Sequence, residues 1–264
     1  MEVIIKPSYA ELCKEAAEII QKALIRKPNL VLGLATGSTP IGLYNELRRL
    51  HTEEGLDFSQ VVTFNLDEYV GIPIDHPQSY HTFMVHHLFN KVNIPASNIH
   101  IPQNSAENLE AFCEWYEQRI CDFGGIDIQV LGIGVNGHIG FNEPGSSLQS
   151  RTRIKTLDAS TVELNTRDFD SNFDFVPDMA ITMGVGTIME ASQCLLLANG
   201  SLKAEAIAQC VEGPITAAVP ASVLQMHPKT VVLIDEAAAS KLERADYHKR
   251  AYQNRRKLEK GDLL

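Results

Sequence analysis

Five short apolar runs without polar alternation constrain this chain more than any other feature: LVLGLA (30–35), VVTFNL (61–66), IQVLGIG (128–134), CLLLAN (194–199) and TVVLID (230–235). A strand that alternates polar and apolar residues leaves one face wet. A strand that is apolar throughout is buried on both faces, the condition of a parallel sheet covered by helices. The segments between the runs supply such helices, with apolar residues at helical spacing over 8–26, 40–51, 79–89, 105–122, 200–212 and 236–258. The opening MEVIIKPSYAELCKEA reads as a further short strand running into the first helix. Strand and helix alternate, so the expected fold class is α/β, a largely parallel sheet with helices on both faces.

At 264 residues, with no internal repeat, low-complexity tract or Gly/Ser linker, the chain is expected to form a single domain over 1–264. The polar stretch 158–178, DASTVELNTRDFDSNFDFVPD, has weaker periodicity and reads as a lid. No segment approaches the uninterrupted apolar length needed to cross a bilayer, and the N-terminus does not have the pattern of an export signal. Cys13, Cys113, Cys121, Cys194 and Cys210 are odd in number and lack CxxC spacing, so a reducing, cytoplasmic setting is expected. A formal charge of −10 argues against a nucleic-acid partner. Against that acidic background Arg151, Arg153, Lys155, Arg167 and Lys203 read either as sites for small anions or as scattered solvated charge.

In open α/β sheets ligands bind beyond the carboxyl ends of the strands. After the first run, ATGSTP (35–40) leads into a helix, so Thr36, Gly37, Ser38 and Thr39 suit a phosphate, or form an ordinary capped turn. It is not a Walker loop, because the GK[ST] ending is missing. After the second run, Asp67 and Glu68 are adjacent at a strand end, and neighbours on an extended chain point to opposite sides. One is expected to face the cleft, where it could take a proton from carbon, with the other held structurally; an acidic loop bound to nearby amides is the alternative. After the third run, GIGVNGHIGFNEP places His138 among glycines, where it can exchange a proton near neutral pH with Glu143 to orient it or tune its pKa. Gly132, Gly134 and Gly137 fit GxGxxG, but no helix follows directly, so dinucleotide binding is not favoured. His81, His86 and His87 show no clean i, i+4 pair and no HExxH occurs, so no metal site is read.

Taken together, GLATGSTPIGLY, VVTFNLDEYVGIP, HPQSYHTFM, GIGVNGHIGFNEPGSS, SRTRIKTL and LQMHPKTVVLIDE resemble the glucosamine-6-phosphate deaminase (glucosamine-6-phosphate isomerase) family over nearly the whole chain. The resemblance implies a single Rossmann-like domain that converts glucosamine 6-phosphate and water into fructose 6-phosphate and ammonia, in amino-sugar breakdown, with no cofactor or metal. It implies Asp67 as the base moving a proton between C2 and C1, and His138 with Glu143 as the group that opens the pyranose ring. It also implies Thr36, Gly37, Ser38, Thr39, Arg167 and Lys203 around the substrate phosphate. Ser146, Arg153 and Lys155 match positions that in hexameric members hold the activator N-acetylglucosamine 6-phosphate, so a homo-oligomer, a hexamer in those members, is a further expectation.

The sequence departs from the pattern in two places. Many members carry aspartate two residues before the histidine, where this chain has Asn136, expected to orient His138 or a sugar hydroxyl and to leave Glu143 as the only carboxylate of the relay. The C-terminal RADYHKRAYQNRRKLEK departs from the end of the well-known allosteric members, which leaves the activator site incomplete. Two alternatives remain. A 6-phosphogluconolactonase is disfavoured by Tyr69 after the acidic pair and by FNEP after the histidine turn, and a sugar-phosphate sensor by the lack of a helix-turn-helix.

Overall fold

The computed structural model of the chain describes residues 1–103, 106–157 and 177–260. A seven-stranded sheet is built from β1 (Glu2–Lys6), β2 (Val31–Leu34), β3 (Val62–Asn65), β5 (Ile99–His100), β6 (Ile128–Leu131), β9 (Cys194–Ala198) and β10 (Thr230–Asp235), in the order β1-β10-β9-β6-β2-β3-β5. All neighbouring pairs are parallel. Every residue of β2, β3, β6 and β9 is buried, as the apolar runs require of strands covered on both sides.

The covering helices divide between the two faces. On one side α1 (Tyr9–Arg26), α2 (Ile41–Glu54) and α3 (Tyr80–His87) set Leu12, Ile20, Leu43, Leu47 and Met84 against Ile4, Leu32, Leu34, Val130 and Leu233. On the other, α4 (Leu109–Asp122), α5 (Val185–Met189) and α6 (Ala204–Val211) set Phe112, Tyr116, Ile188 and Ile207 against Val3, Val31, Leu131 and Val232. Ser8, Ser79 and Asn108 cap α1, α3 and α4 by accepting from Glu11, Thr82 and Ala111 amides. The last helix, α7 (Ala245–Lys260), is tied to the first strand and helix: Tyr252 Oη donates to Glu15 Oε2 at 2.8 Å, and Glu15 pairs with Lys6 at 2.7 Å.

Three expectations are corrected. The helical pattern over 236–258 becomes a helix only from Ala245, because 236–244 forms turns around Asp235, whose Oδ1 accepts from the Ala238 amide at 2.8 Å. Ala238, Ala239 and Leu242 are buried there, which produced the apolar period without a continuous helix. The pattern over 200–212 starts as a 3-10 turn at Ser201–Lys203 before α6, and that over 105–122 becomes helix from Leu109. A second sheet was not anticipated: β4 (Asp67–Tyr69), β8 (Met179–Thr182) and β7 (Arg153–Thr156) pair antiparallel in the order β4-β8-β7. Of the expected lid only Pro177 and Asp178 fall within the described residues.

Gly33, in β2 at the centre of the large sheet, is paired with Phe64 and Gln129 on either side. A methyl group there would fall 2.0 Å from Gln129 Oε1, inside the buried core. Gly33→Ala is expected to lower unfolding free energy by about 1–3 kcal/mol through overpacking. Gln129→Ala in the same chain should recover part of that loss in urea melts, and no recovery would place the strain elsewhere.

Candidate active site

From β2 the chain moves to β3 on one side, whereas β6 lies on the other side of β2 and leads toward β9. The loops after β2 and β6 therefore diverge and leave a crevice at the carboxyl edge, where open α/β sheets place ligands. A cleft of about 320 Å³ occupies this position, lined by 35–39, Leu66, Asp67, Tyr80, parts of 132–141 and Lys203. Of the loops after the five apolar runs, only that after β10 does not line it. Instead the Asp235 carboxylate braces the Gly200 amide at 3.0 and 3.1 Å, beside the Lys203 turn.

One end of the cleft is a cradle of free donors. Thr36, Gly37, Ser38 and Thr39 all line it, with Gly37 at φ 93°, a left-handed conformation that favours glycine. Among the described residues the amides of Gly37, Ser38 and Thr39 donate to no protein acceptor. They precede α2, whose N-cap Pro40 provides no side-chain cap, so the partial positive charge of the helix end lies beside the loop. Lys203 stands on the opposite wall without a carboxylate partner among the described residues, and burial pushes its ammonium pKa down. Arg167 lies outside the described residues.

At the other end is Asp67. It begins β4, pairs with Thr182, and is only 6% exposed. Burial, and secondarily the charge of Glu68, pushes its carboxyl up to about 8. No described group donates a hydrogen bond to it. Glu68 points the other way, as the strand period demands, and accepts from the Tyr69, Tyr80 and His81 amides at 2.9, 3.0 and 2.9 Å. It thereby holds the start of α3; burial raises its pKa and the three amides oppose the rise. Tyr80, missed as a site residue, lines the cleft and packs against Tyr69 at 4.7 Å and Phe141 at 6.0 Å between ring centroids. Its position one residue after the expected helix start was the available signal.

The glycine turn after β6 presents His138. A Cβ on Gly134 would lie 2.3 to 2.5 Å from the imidazole, so glycine is what permits the ring to lie on the backbone. Glu143 Oε2 approaches His138 Nδ1 at 3.3 Å, a charge contact without aligned hydrogen-bond geometry. Asn136 Nδ2 donates to the same Oε2 at 2.7 Å, while its Oδ1 accepts from the His138 amide at 3.2 Å. Asn136 thus holds Glu143 and the histidine backbone. The turn is pinned to the second sheet by Phe141 N donating to Thr182 Oγ1 at 3.0 Å and Asn142 Nδ2 donating to Met183 O at 2.8 Å.

The basic stretch separates into unlike parts. Arg151 is used structurally, pairing with Glu117 at 2.5 Å and Glu190 at 2.6 Å. Arg153 Nη1 donates to Asn142 Oδ1 at 2.9 Å, and burial pushes its pKa down. Lys155 lies two residues along β7, on the same face as Arg153. Ser146 is buried with an unpartnered Oγ, and no hydrogen bond joins it to either cation among the described residues.

Fold and cleft together define a Rossmann-like α/β protein with a loop of free amides and a desolvated carboxyl in one cleft. The family described as glucosamine-6-phosphate isomerases/6-phosphogluconolactonase matches residues 6–233, and the chain belongs to that family. It is 53% identical over 240 residues to a glucosamine-6-phosphate deaminase of Thermoanaerobacter pseudethanolicus (strain ATCC 33223 / 39E), covering 91% of this chain and 94% of the relative. It is 51% identical over 248 residues to glucosamine-6-phosphate deaminase 2 of Bacillus subtilis (strain 168), covering 94% and 100%. The solved structure of a monomeric glucosamine-6-phosphate deaminase superposes with a TM-score of 0.88 at 47% identity, over 91% of this chain and 100% of that one. A 6-phosphogluconolactonase from Trypanosoma cruzi, at 20% identity and a TM-score of 0.71 over 92% of this chain and 97% of that one, shares the fold.

The raised Asp67 pKa has a defined pH signature. Below pH about 4 the folded and unfolded chains both carry the proton and no penalty exists. As pH rises to about 8 the unfolded chain ionises and the folded one does not, so stability falls across that window. Asp67→Asn is expected to be more stable than the parent by roughly one to a few kcal/mol at pH 9, with the gap closing toward pH 4. Parallel urea melts that show no pH-dependent gap would contradict a desolvated Asp67.

Proposed function

We propose that this chain is a glucosamine-6-phosphate deaminase, converting glucosamine 6-phosphate and water to fructose 6-phosphate and ammonia. The observation that carries the reading is the buried Asp67 carboxyl set in one cleft with the donor cradle of Thr36–Thr39 and Lys203. Relatives about half identical and bearing this name support the same substrate.

The cradle and Lys203 hold the phosphate, which fixes the sugar at its C6 end and converts the later steps into oriented ones. His138, backed by Glu143, moves the proton between the ring oxygen and the C1 hydroxyl, so the pyranose opens to an aldehyde. That aldehyde acidifies the C2 proton. Asp67 takes it and the electrons settle into an enolamine; Asp67 then returns the proton to C1, leaving an imine at C2. Water adds to the imine and ammonia leaves.

The elevated Asp67 pKa fits this sequence. A carboxyl that resists ionisation in the empty cleft becomes carboxylate when a cationic C2 amine arrives beside it, because an opposite charge favours the ionised form. Asn136 keeps Glu143 in place without adding a second carboxylate. Arg167 is assigned to the phosphate by resemblance only.

The proposal extends to setting and regulation. The protein acts in the cytoplasm as a hydrolase of amino-sugar breakdown, and among the described residues no helix is long and apolar enough to cross a membrane. An oligomer with N-acetylglucosamine 6-phosphate at Ser146, Arg153 and Lys155 is the regulatory proposal. The relative described as monomeric bears against the oligomer. Light scattering with and without that phosphosugar decides both points, and hyperbolic kinetics unchanged by it would remove the activator.

The test of the main reading is product formation by metal-stripped protein. Equal amounts of ammonia and fructose 6-phosphate are expected, with loss of about 10²–10⁴ in rate for Asp67→Asn. No ammonia from folded parent protein would overturn the reading. Lys203→Met is expected to raise KM about tenfold or more, since it removes a charged phosphate ligand. Asn136→Asp is expected to shift the pH profile of kcat, and an unchanged rate and profile would dismiss the role given to Asn136.

A further inference from the structure

The cradle loop is held by a residue outside every motif. Tyr9, the first residue of α1, is far from Thr36–Thr39 in sequence but adjacent in space. Its Oη donates to Thr39 O at 2.8 Å, with Ser38 O at 3.2 Å as the weaker branch, and accepts from the Gly42 amide at 2.8 Å. The hydroxyl therefore joins the end of the loop to the second residue of α2. It supplies the acceptor that a capping side chain would otherwise give, at a helix whose N-cap is Pro40.

Three further observations make this a fitted contact. A Cβ at residue 42 would lie 2.8 Å from Tyr9 Oη and 2.4 Å from Cys13 Sγ, so glycine there is what admits the phenol and the thiol beneath the helix end. Ser8 caps α1 and so fixes where Tyr9 emerges. Burial pushes the Tyr9 phenol up to about 12, so it keeps the proton it donates to the loop throughout the neutral range.

We infer that Tyr9 is a positioning residue for the sugar phosphate: its hydroxyl fixes the turn between β2 and α2 and holds the amides of Gly37, Ser38 and Thr39 free for the anion. Because the Gly42 amide is already engaged by Tyr9, the phosphate takes the loop amides and Lys203, not that helix donor. The inference rests on the phosphate cradle of the proposed function and goes beyond it by assigning a residue in contact with neither sugar nor phosphate.

The test is Tyr9→Phe, read by titration with inorganic phosphate and by steady-state kinetics with glucosamine 6-phosphate. Removing the staple is expected to raise the phosphate Kd and the substrate KM in parallel by about three- to tenfold, with kcat within about twofold of the parent. Unchanged phosphate affinity and KM would overturn the inference, as would a fall in kcat at constant KM. A parent protein that fails to bind inorganic phosphate would also overturn it. A parent that binds phosphate but releases no ammonia would instead count against the deaminase reading, and the titration of Tyr9→Phe would still decide the role of Tyr9. Should Tyr9→Phe fail to fold, Gly42→Ala in a Cys13→Ala chain relieves the sulfur clash and leaves the added methyl against the Tyr9 phenol, at Oη and Cε1. The same rise in Kd is expected there, and parent-like affinity would overturn the inference.

Discussion

Leu66 joins the two hydrogen-bonding systems on which the cleft depends. Its amide donates to Leu34 O at 3.0 Å, extending the parallel sheet, and its carbonyl accepts from Met183 N at 2.7 Å, beginning the antiparallel one. A backbone shared in this way leaves the next residue little freedom. Asp67 is delivered into the cleft beside Thr182, and Glu68 is turned to the start of α3. Two adjacent carboxyls thus receive opposite environments. Three amides hold Glu68, whereas no described donor serves Asp67, and a buried carboxyl without donors keeps its proton. The division between a carboxyl held by amides and one left without donors among the described residues therefore follows from backbone pairing.

Charge is distributed to the same end. The chain carries a formal charge of −10, and many of its cations are paired: Arg49 with Glu46, Glu53 and Glu54, Arg151 with Glu117 and Glu190, Lys27 with Asp127. Among the described residues Lys203 has no such partner, and it lines the cleft beside free amides. A cation desolvated without a counter-ion is destabilising in the empty protein, and that loss is offset only when an anion arrives. Arg153 shows a milder version of the arrangement, since its guanidinium rests on the neutral Asn142 amide. That contact ties the second basic site to the turn carrying Glu143, the neighbour of Asn142.

How far the sequence could be read follows from which signals are local. Strands buried on both faces have an unmistakable composition, so five of the parallel strands were legible from it and β1 from the opening segment, with the covering helices except the short Val185–Met189. The second sheet was not. Asp67–Tyr69 is too short to show a period, and Arg153–Thr156 looked like a run of charge because Arg153 and Lys155 occupy one face of a strand whose pairing with β8 no local pattern encodes. The site divides the same way. Thr36–Thr39, Asp67, His138 and Glu143 stand at strand ends in compact motifs. Tyr80 and Tyr9 reach the cleft or its cradle only through tertiary packing, Tyr9 by lying under a helix that begins some thirty residues later in the chain.

The neutral side chain of Asn136 bears on the surroundings of Glu143. Its Nδ2 lies 2.7 Å from Glu143 Oε2, so a carboxylate in its place would set two negative oxygens at hydrogen-bond distance and force them to share a proton. An amide removes that coupling. It offers Glu143 a donor that does not titrate, and Glu143 stays an acceptor on the side facing His138 Nδ1 at 3.3 Å.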